Sequence, residues 1–345
     1  MKRILKQLFG ILALLIGLGI FLYPNYRDWK LMKEINAIAE ISQRENSLGK
    51  DEHRIIQESV PADEPETETT SEEETENEEL SASRELYTAL WDYNIRLAEN
   101  KQEITDAWTF RQSPVDIAAL NNGSLAVGYI DIPEIDLELP LYVGATEENM
   151  SRGAVVLAGT SMPVGGENTN CVIAGHRGYS GSPYFRDIDQ LQVGSEVHIN
   201  NLWEKLVYKV TGTKIIHATE CDILQIQPGK DMVTLFSCYP YLSIGTKYRL
   251  VIFCERAEET EEETEMKEEM TETERVTVRD LIEMDLQEQG IVISNLEKEE
   301  LSHKEDLIRK IAPCICILLS LLLIFLRMKP KKRKYSKQKK NQKGE

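Results

Sequence analysis

The chain has 345 residues, of which 41% are hydrophobic, and a formal net charge of −18 at pH 7, so it is long and apolar enough to bury a sizeable core. The charge is unevenly distributed: residues 1–7 carry +3 and residues 327–345 carry +9, which leaves −30 for residues 8–326. A strongly acidic central part argues against nucleic acid as a partner, because a phosphate backbone binds a basic face.

The first predicted element is a transmembrane helix at residues 7–26. This run lies between Lys6 and Arg27 without a charged residue, and about 20 helical residues cross about 30 Å of hydrocarbon. A cleaved signal peptide is the alternative, but the end of the run lacks the small-x-small pattern that signal peptidase requires. The sequence therefore favours an anchor.

A second uncharged run, residues 311–326, is short for a membrane span, and a buried core helix is the alternative. The charges that flank the two runs favour spans. Residues 327–343 contain ten Lys or Arg residues, and residues 1–6 contain three. By the positive-inside rule, both termini are cytoplasmic and the central part is extracellular. Anionic lipid headgroups are the expected partners of the basic tail.

Two acidic segments bracket the predicted folded domain. Residues 58–80 are rich in Glu, Thr, Ser and Pro and contain no Lys or Arg, and residues 255–274 are similarly acidic. Such compositions bury too little apolar surface to fold and predict solvated spacers. The folded domain is therefore expected at residues 81–257. Residues 276–310 predict two short helices broken near Gly290, within a segment interpreted as a spacer.

The pattern within the folded domain predicts one helix followed by strands. Leu86, Leu90 and Leu97 recur at helical spacing. Apolar or alternating runs predict strands at 125–132, 137–142, 153–157, 171–175, 196–199, 206–216, 232–237 and 247–254. Because no long helices separate these strands, the sequence predicts a mainly β fold, an antiparallel barrel or sandwich.

Four of the six cysteines, Cys171, Cys221, Cys238 and Cys254, lie in the predicted extracellular part. An even number of extracellular cysteines normally suggests disulfides. Cys238 differs from the others because it follows the apolar run 232–237 and precedes a Pro-containing loop. The end of a strand can present a side chain to a cleft, so Cys238 is a candidate nucleophile. Such a thiol needs a proton acceptor and a nearby positive charge.

His176 and Arg249 are the candidates for these two roles. His176 follows the apolar run 171–175 in a loop flanked by glycines, and Arg249 lies eleven residues after Cys238. A turn between Cys238 and Arg249 would pair two antiparallel strands and bring the guanidinium near the thiol, where it can stabilise an oxyanion. Taken singly, the three residues have simpler interpretations as a buried thiol, a loop histidine and a solvated arginine. Zinc is disfavoured because no C-x2-C or H-x3-H pair occurs.

Together these residues resemble the signature of the sortase family, which consists of a TLxTC strand, a His at a strand end and an Arg on the strand after the Cys. Residues 234–238 read TLFSC, with Ser in place of the second Thr, and the order of His176, Cys238 and Arg249 also matches. The resemblance covers residues 85–257. Four further stretches are similar to class C, pilin-polymerising sortases: Gly128–Pro133, Leu139–Tyr142, Pro163–Asn168 and Gly175–Gly178.

The resemblance implies a closed, eight-stranded sortase-type β-barrel flanked by the two transmembrane helices. It also implies a cysteine transpeptidase that needs no cofactor or metal. In that reaction Cys238 attacks the Thr-Gly bond of an LPxTG-like signal, Arg249 stabilises the oxyanion and His176 protonates the leaving amine. The alternatives are a plain thiol protease and a two-pass surface scaffold that only binds peptides.

The implied partners are LPxTG-bearing surface proteins or pilins, together with an amine acceptor. The acceptor is a pilin Lys in a pilus-assembling enzyme and a cell-wall peptide in an anchoring enzyme. The implied location is the cell membrane of a Gram-positive type envelope, with the catalytic domain outside. A disulfide from Cys238 to one of the other three extracellular cysteines would silence such an enzyme.

One stretch departs from the class C pattern. Members of that class usually carry a lid with an Asp-Pro-aromatic motif, which residues 108–116 lack. Either Trp108 or Phe110 supplies the plugging ring, or the lid is absent and these rings pack on the barrel. The predicted organisation is a cytoplasmic N-terminus at 1–6, a transmembrane helix at 7–26, a juxtamembrane segment and spacer at 27–80, the catalytic domain at 81–257, an acidic spacer at 258–310, a transmembrane helix at 311–326 and a basic cytoplasmic tail at 327–345.

Overall fold

The chain was analysed as a computed structural model, which divides into two compact units, Met1–Asn25 with His303–Glu345 and Tyr26–Ser302. The structure describes residues 2–57, 71–100, 102, 111–121, 125–179, 182–240, 247–257 and 276–291, together with 311, 314 and 318. The second unit holds the β-structure and the candidate site.

Ten strands are present in the described part of the second unit. They are β1 (Ala126–Ile132), β2 (Leu137–Val143), β3 (Ala154–Val156), β4 (Thr169–Ala174), β5 (Arg177–Tyr179), β6 (Ser182–Tyr184), β7 (Glu196–Asn201), β8 (Lys205–His217), β9 (Asp231–Tyr239) and β10 (Tyr248–Arg256). Eight of them close into a barrel in the order β1-β2-β3-β4-β9-β10-β8-β7, and β5 and β6 form a separate hairpin. The predicted eight strands and the closed β-barrel are confirmed.

Two pairings in the barrel depart from the predicted antiparallel arrangement. Strand β2 pairs in parallel with β3, and β4 pairs in parallel with β9. Parallel neighbours need a crossover connection, and the link from β2 to β3 contains the short helix Glu147–Arg152. The expectation of a wholly antiparallel sheet was wrong because strand periodicity does not specify which strands become neighbours. The β5–β6 hairpin was also missed, because strands of three residues are too short to show a period.

Five α-helices have their bounds within the described residues. They are α1 (Lys2–Gln57), α2 (Ser71–Glu99), α3 (Ile117–Leu120), α4 (Glu147–Arg152) and α5 (Val278–Glu288). The predicted helix at the start of the folded domain is confirmed, since Leu86 and Leu90 of α2 are fully buried in the core.

Helical structure extends into segments that were predicted to be spacers. Helix α1 continues to Gln57, and α2 begins at Ser71, within the predicted solvated stretch 58–80. Residues 72–74 are all Glu, a residue type that propagates helix well. The rest of that stretch, residues 58–70, lies outside the described residues.

The predicted membrane spans are not visible as such. In the part of the chain that the structure describes, no helix combines the length and the apolar character needed to cross a membrane. The predicted span at 7–26 lies within α1, and most of the predicted span at 311–326 lies outside the described residues. The two-pass arrangement stays a prediction.

Helix α5 belongs to the barrel core, although it lies beyond the predicted domain end at residue 257. Val278, Ile282 and Leu286 are buried in the same core cluster as the strands. The helix begins at a capping box in which Thr277 and Asp280 each accept a backbone N–H of the other. The predicted helix that ends near Gly290 is therefore confirmed, and its predicted successor lies outside the described residues.

The part of α1 after Tyr26 docks on the barrel. Glu34 accepts hydrogen bonds from the Tyr142 hydroxyl at 2.6 Å and from Arg152 Nη2 at 2.7 Å. Asp28 accepts one from the Ser182 hydroxyl at 2.7 Å. These contacts join α1 to β2, α4 and the β5–β6 hairpin, so the predicted juxtamembrane segment contributes to the folded unit.

Candidate active site

Cys238 and Arg249 lie directly opposite each other on neighbouring strands. In the antiparallel pair β9–β10 their Cα atoms are register partners. Directly opposite residues project to the same face of a sheet, with Cβ atoms about 5 Å apart. Cys238 is partly exposed, whereas the preceding Ser237 is buried. The predicted adjacency of the two strands therefore holds, and it brings the thiol and the guanidinium to one face.

His176 reaches the same level through the parallel pair β4–β9. Ala174 is the register partner of Phe236, and the Gly175 N–H donates to the Phe236 carbonyl at 3.1 Å. Continuing this register by two residues brings His176 level with Cys238. The Ser237 hydroxyl donates to the Gly175 carbonyl at 2.9 Å and so fixes the strand end that carries the histidine.

One pocket joins the three predicted residues. Its free space of about 20 Å³ holds about one water molecule. Side chains on β4, β9 and β10 form one side, and the segment from β2 to the end of β3 forms an apolar wall that the sequence did not reveal. The lining residues are Ala145, Met150, Leu157, Ala174, Gly175, His176, Phe236, Ser237, Cys238 and Arg249.

Burial controls the ionisation of His176. Desolvation lowers the pKa of His176 below its ordinary value, because burial disfavours the charged imidazolium. The imidazole also makes an edge contact with the Tyr184 ring, with centroids 6.3 Å apart. The imidazole is therefore mainly neutral near pH 7.

Arg249 carries its charge in a nearly dry position. It is 6% exposed, and its Nη1 donates to the Tyr248 carbonyl at 2.8 Å. The simple interpretation of a solvated strand arginine is therefore wrong. A fixed positive charge in a low-dielectric pocket acts more strongly on a nearby anion than the same charge in water does.

The remaining cysteines of the barrel unit are suited to packing rather than to chemistry. Cys171, Cys221 and Cys254 are buried, and none of the described cysteines forms a disulfide. Burial raises the pKa of Cys171 and of Cys254, so their thiolates are disfavoured. The silencing disulfide considered from the sequence is not formed with any of these three.

Histidines outside the pocket have structural surroundings. His198 on β7 lies 2.9 Å from Asp131 and 3.2 Å from Glu196, measured between ring nitrogens and carboxylate oxygens. His217 contacts Thr219 and the Tyr248 ring. Neither residue lines the pocket.

Two features beside the site escaped the sequence analysis. A Cβ at Gly175 would approach the Phe185 ring to 2.7 Å, so this position needs glycine for close packing. Arg177, the residue after His176, forms a buried ion pair with Asp189 at 3.1 Å. No spacing signal connects residues 177 and 189, because the link runs through the β5–β6 hairpin.

The aromatic residues proposed for a lid, Trp108 and Phe110, lie outside the described residues. The chain just after them does pass the rim of the pocket. Gly144, which precedes the pocket residue Ala145, has φ of +91°, and a Cβ there would lie 2.5 Å from the Arg111 carbonyl oxygen. The segment that follows Trp108 and Phe110 is therefore packed beside the pocket wall.

Comparison with known proteins matches the sequence that carries this site to one family. The family model of the sortase domain matches residues 130–257, which include His176, Cys238 and Arg249. The chain belongs to the sortase family. The match ends before α5, so this sortase has a helix packed on its barrel beyond the matched region.

Curated sortases align with the same region. The chain is 27% identical to sortase D of Bacillus subtilis over 38% of this chain and 64% of that protein. It is 28% identical to sortase A of Bacillus anthracis over 44% of this chain and 70% of that protein. It is 34% identical to sortase A of Staphylococcus aureus over 34% of this chain and 57% of that protein. The chain thus spans just under two thirds of the Bacillus subtilis relative.

Solved structures of sortases C are also similar. Sortase C1 of GBS pilus island 1 is 32% identical over 52% of this chain and 84% of that chain, with a TM-score of 0.46. Streptococcus pneumoniae sortase C, whose structure is described as informing catalysis and pilin substrate specificity, is 31% identical over 52% and 91%, with a TM-score of 0.47. Since both TM-scores lie below 0.5, membership of the family rests on the sequence matches.

Proposed function

We propose that this sortase is a cysteine transpeptidase with Cys238, His176 and Arg249 as its catalytic residues. The observation that carries the proposal is the cross-strand pair of Cys238 and Arg249, which share one pocket with His176. The pocket combines a partly exposed thiol, a buried cation and a titratable imidazole, which are the groups that acyl transfer through a thioester requires.

The reaction exchanges one amide for another. The Cys238 thiol passes its proton to the neutral imidazole of His176, and the resulting thiolate attacks the Thr carbonyl of an LPxTG-like signal, while Arg249 stabilises the oxygen that becomes negative. The C–N bond to Gly then breaks as His176 gives a proton to the leaving amine, which leaves a thioester on Cys238. A second amine attacks the thioester and gives a proton to His176, which passes it to the Cys238 sulfur as the C–S bond breaks. No redox partner or nucleotide is needed, because an amide is both consumed and formed.

A pilin Lys is the proposed acceptor amine. The support is the resemblance of stretches such as Gly128–Pro133 and Gly175–Gly178 to class C, pilin-polymerising sortases. A cell-wall peptide amine is the alternative acceptor. Supplying each amine separately to the thioacyl enzyme and weighing the products distinguishes the two. Release of the free acid in the presence of either amine would identify a protease instead.

We further propose a two-pass membrane location with the barrel outside the cell. The support is the uncharged runs at residues 7–26 and 311–326 and the basic residues that flank them. In this arrangement the acceptor and the sorting signal meet at the outer face of a Gram-positive type membrane.

The testing experiment is mass spectrometry of the reduced full-length protein in detergent after incubation with an LPxTG peptide. The expected result is an adduct on Cys238 equal to the peptide cleaved after Thr, absent from Cys238→Ala. The matched control is Cys314→Ala, which removes a thiol that belongs to the other compact unit and should keep the adduct. A folded, reduced wild type that forms no adduct with any of a set of sorting signals would favour the peptide-binding scaffold.

A further inference from the structure

A buried carboxylate beside the candidate site is shared by two arginines. Asp189 Oδ2 lies 3.1 Å from Arg177 Nη2 and 3.1 Å from Arg279 Nη2. The Asp189 and Arg177 side chains are 5% and 2% exposed, while the Arg279 side chain is 48% exposed. A buried carboxylate is stable only with a close cationic partner, so the buried Arg177 neutralises Asp189 and the half-exposed Arg279 holds it from a second side chain.

Arg177 links the segment that carries His176 to the segment that carries Cys238. Arg177 directly follows His176, and its Cζ lies 5.3 Å from the centroid of the Tyr239 ring, which directly follows Cys238. The loop after His176 is tied down further, because the Phe185 N–H donates to the His176 carbonyl at 2.9 Å. Movement of Arg177 would therefore change the position of the histidine relative to the thiol.

Arg279 reaches Asp189 from a helix that is itself firmly placed. It lies in the first turn of α5, next to the capping box of Thr277 and Asp280. The Val278 N–H donates to the Leu191 carbonyl at 2.7 Å, two residues beyond Asp189. The helix thus holds the short 3-10 helix Ile188–Gln190 that carries the carboxylate.

We propose that Asp189, held by Arg177 and by Arg279 of α5, is a positioning residue that fixes His176 relative to Cys238. Helix α5 lies beyond the region matched by the family model. In this proposal it helps to position His176 in the active site. The expected effect on the rate of acylation rests on the proposed transpeptidase function. The expected effect on the order of the His176 loop does not depend on that function.

The test compares full-length variants by the first-order rate of Cys238 acylation at saturating LPxTG peptide. Arg279→Met removes the half-exposed arm and leaves Arg177 to neutralise Asp189, so it should fold and acylate about three to ten times more slowly with KM little changed. The matched control is Arg96→Met, an exposed arginine on α2, which should acylate at the wild-type rate. A wild-type rate for Arg279→Met would overturn the role of α5.

A second variant separates positioning from stability. Asp189→Asn alone leaves a buried guanidinium without its charge partner and is at risk of unfolding. The double variant Arg177→Met with Asp189→Leu removes both buried charges, an exchange that often preserves stability. It should unfold near the wild-type midpoint yet acylate at least tenfold more slowly. Wild-type acylation by this folded variant would overturn the proposal.

The NMR spectrum of the His176 ring supplies a readout that is independent of the sorting signal. In the wild type the ring should give one sharp set of signals, and in Arg279→Met and the double variant it should be broadened or doubled. Unchanged signals would overturn the proposal. If the wild type formed no adduct but the ring signals still changed, the proposed function would fail while the positioning of the His176 loop stood.

Discussion

Arg249 places a positive charge next to the candidate nucleophile, Cys238. The register of β10 against β9 sets the position of this charge. Cys238 and Arg249 are cross-strand partners, so the register of the hairpin places the guanidinium opposite the thiol. A fixed positive charge in a low-dielectric pocket stabilises an anion that forms beside it more strongly than the same charge in water does. We therefore expect Arg249 to contribute mainly to the transition state of acylation.

Replacing this charge tests that expectation. Arg249→Met should lower the acylation rate about 100-fold to 1000-fold, the range found when a donor to an oxyanion is removed, while binding of the peptide changes little. Stopped acylation reactions resolved by mass measure the rate. Lys247→Met, an exposed change close by on the same chain segment, should be nearly silent. Equal rates for wild type and Arg249→Met would exclude Arg249 from the chemistry.

Burial of His176 predicts a specific pH dependence. Because burial lowers the pKa of His176 in the folded protein, below the unfolded value of about 6.5, the unfolded chain binds the proton more tightly. The free energy of unfolding should therefore fall as the pH drops below about 6.5. NMR titration of the ring, with the urea-unfolded chain as reference, measures both pKa values. A folded pKa at or above the unfolded one would contradict the burial argument.

Among the elements, the helices α1 and α5 both contribute side chains to the core of the barrel. Helix α1 contributes Ile38 to the core, and α5 contributes Ile282 and Leu286. Both lie outside residues 81–257, so neither was counted as part of the predicted catalytic domain. The polar contacts of α1 converge on Glu34, which binds β2 through Tyr142 and α4 through Arg152.

The α1 contact can be tested through Glu34. The Tyr142 hydroxyl donates to the carboxylate, and a hydrogen bond to a charged group contributes about 1.5–3 kcal/mol. Glu34→Ala should therefore lower the free energy of unfolding by about 2 kcal/mol in a urea titration. Glu40→Ala removes an exposed carboxylate of the same helix and should change it by less than about 0.5 kcal/mol. Equal losses would show that α1 does not support the barrel through Glu34.

The α5 contact is apolar. Ile282 is 3% exposed in the core, whereas Met284 on the same helix is 64% exposed. Ile282→Ala should cost about 2–5 kcal/mol of unfolding free energy because it leaves a cavity. Met284→Ala should cost little. Chemical denaturation monitored by tryptophan fluorescence compares the two, and a small effect of Ile282→Ala would place α5 outside the cooperative unit.

At the scale of the whole molecule, charge predicts how the chain is oriented at a membrane. The basic residues lie at the two ends, and residues 8–326 carry −30. With both termini in the cytoplasm, a C-terminal epitope tag should be protected when intact protoplasts are treated with protease, while the barrel is digested. Permeabilised cells serve as the control and should lose the tag. Digestion of the tag in intact protoplasts would contradict the two-pass topology.

The sequence by itself determined the eight strands of the barrel and the candidate residues. Alternating apolar runs specify strands locally, so all eight barrel strands were predicted, and His176, Cys238 and Arg249 were identified from strand ends and a family motif. These features depend on residues that are close together along the chain.

Only the tertiary structure decided which elements that are distant along the chain pack together. It set the parallel pairing of β4 with β9 that brings His176 level with Cys238, the packing of α5 on the core, and the ion pairs of Asp189 with Arg177 and Arg279. Residues 189 and 279 are separated by 90 positions. Contacts at that separation follow from how the barrel closes and which surfaces it buries, for which a local pattern carries no signal.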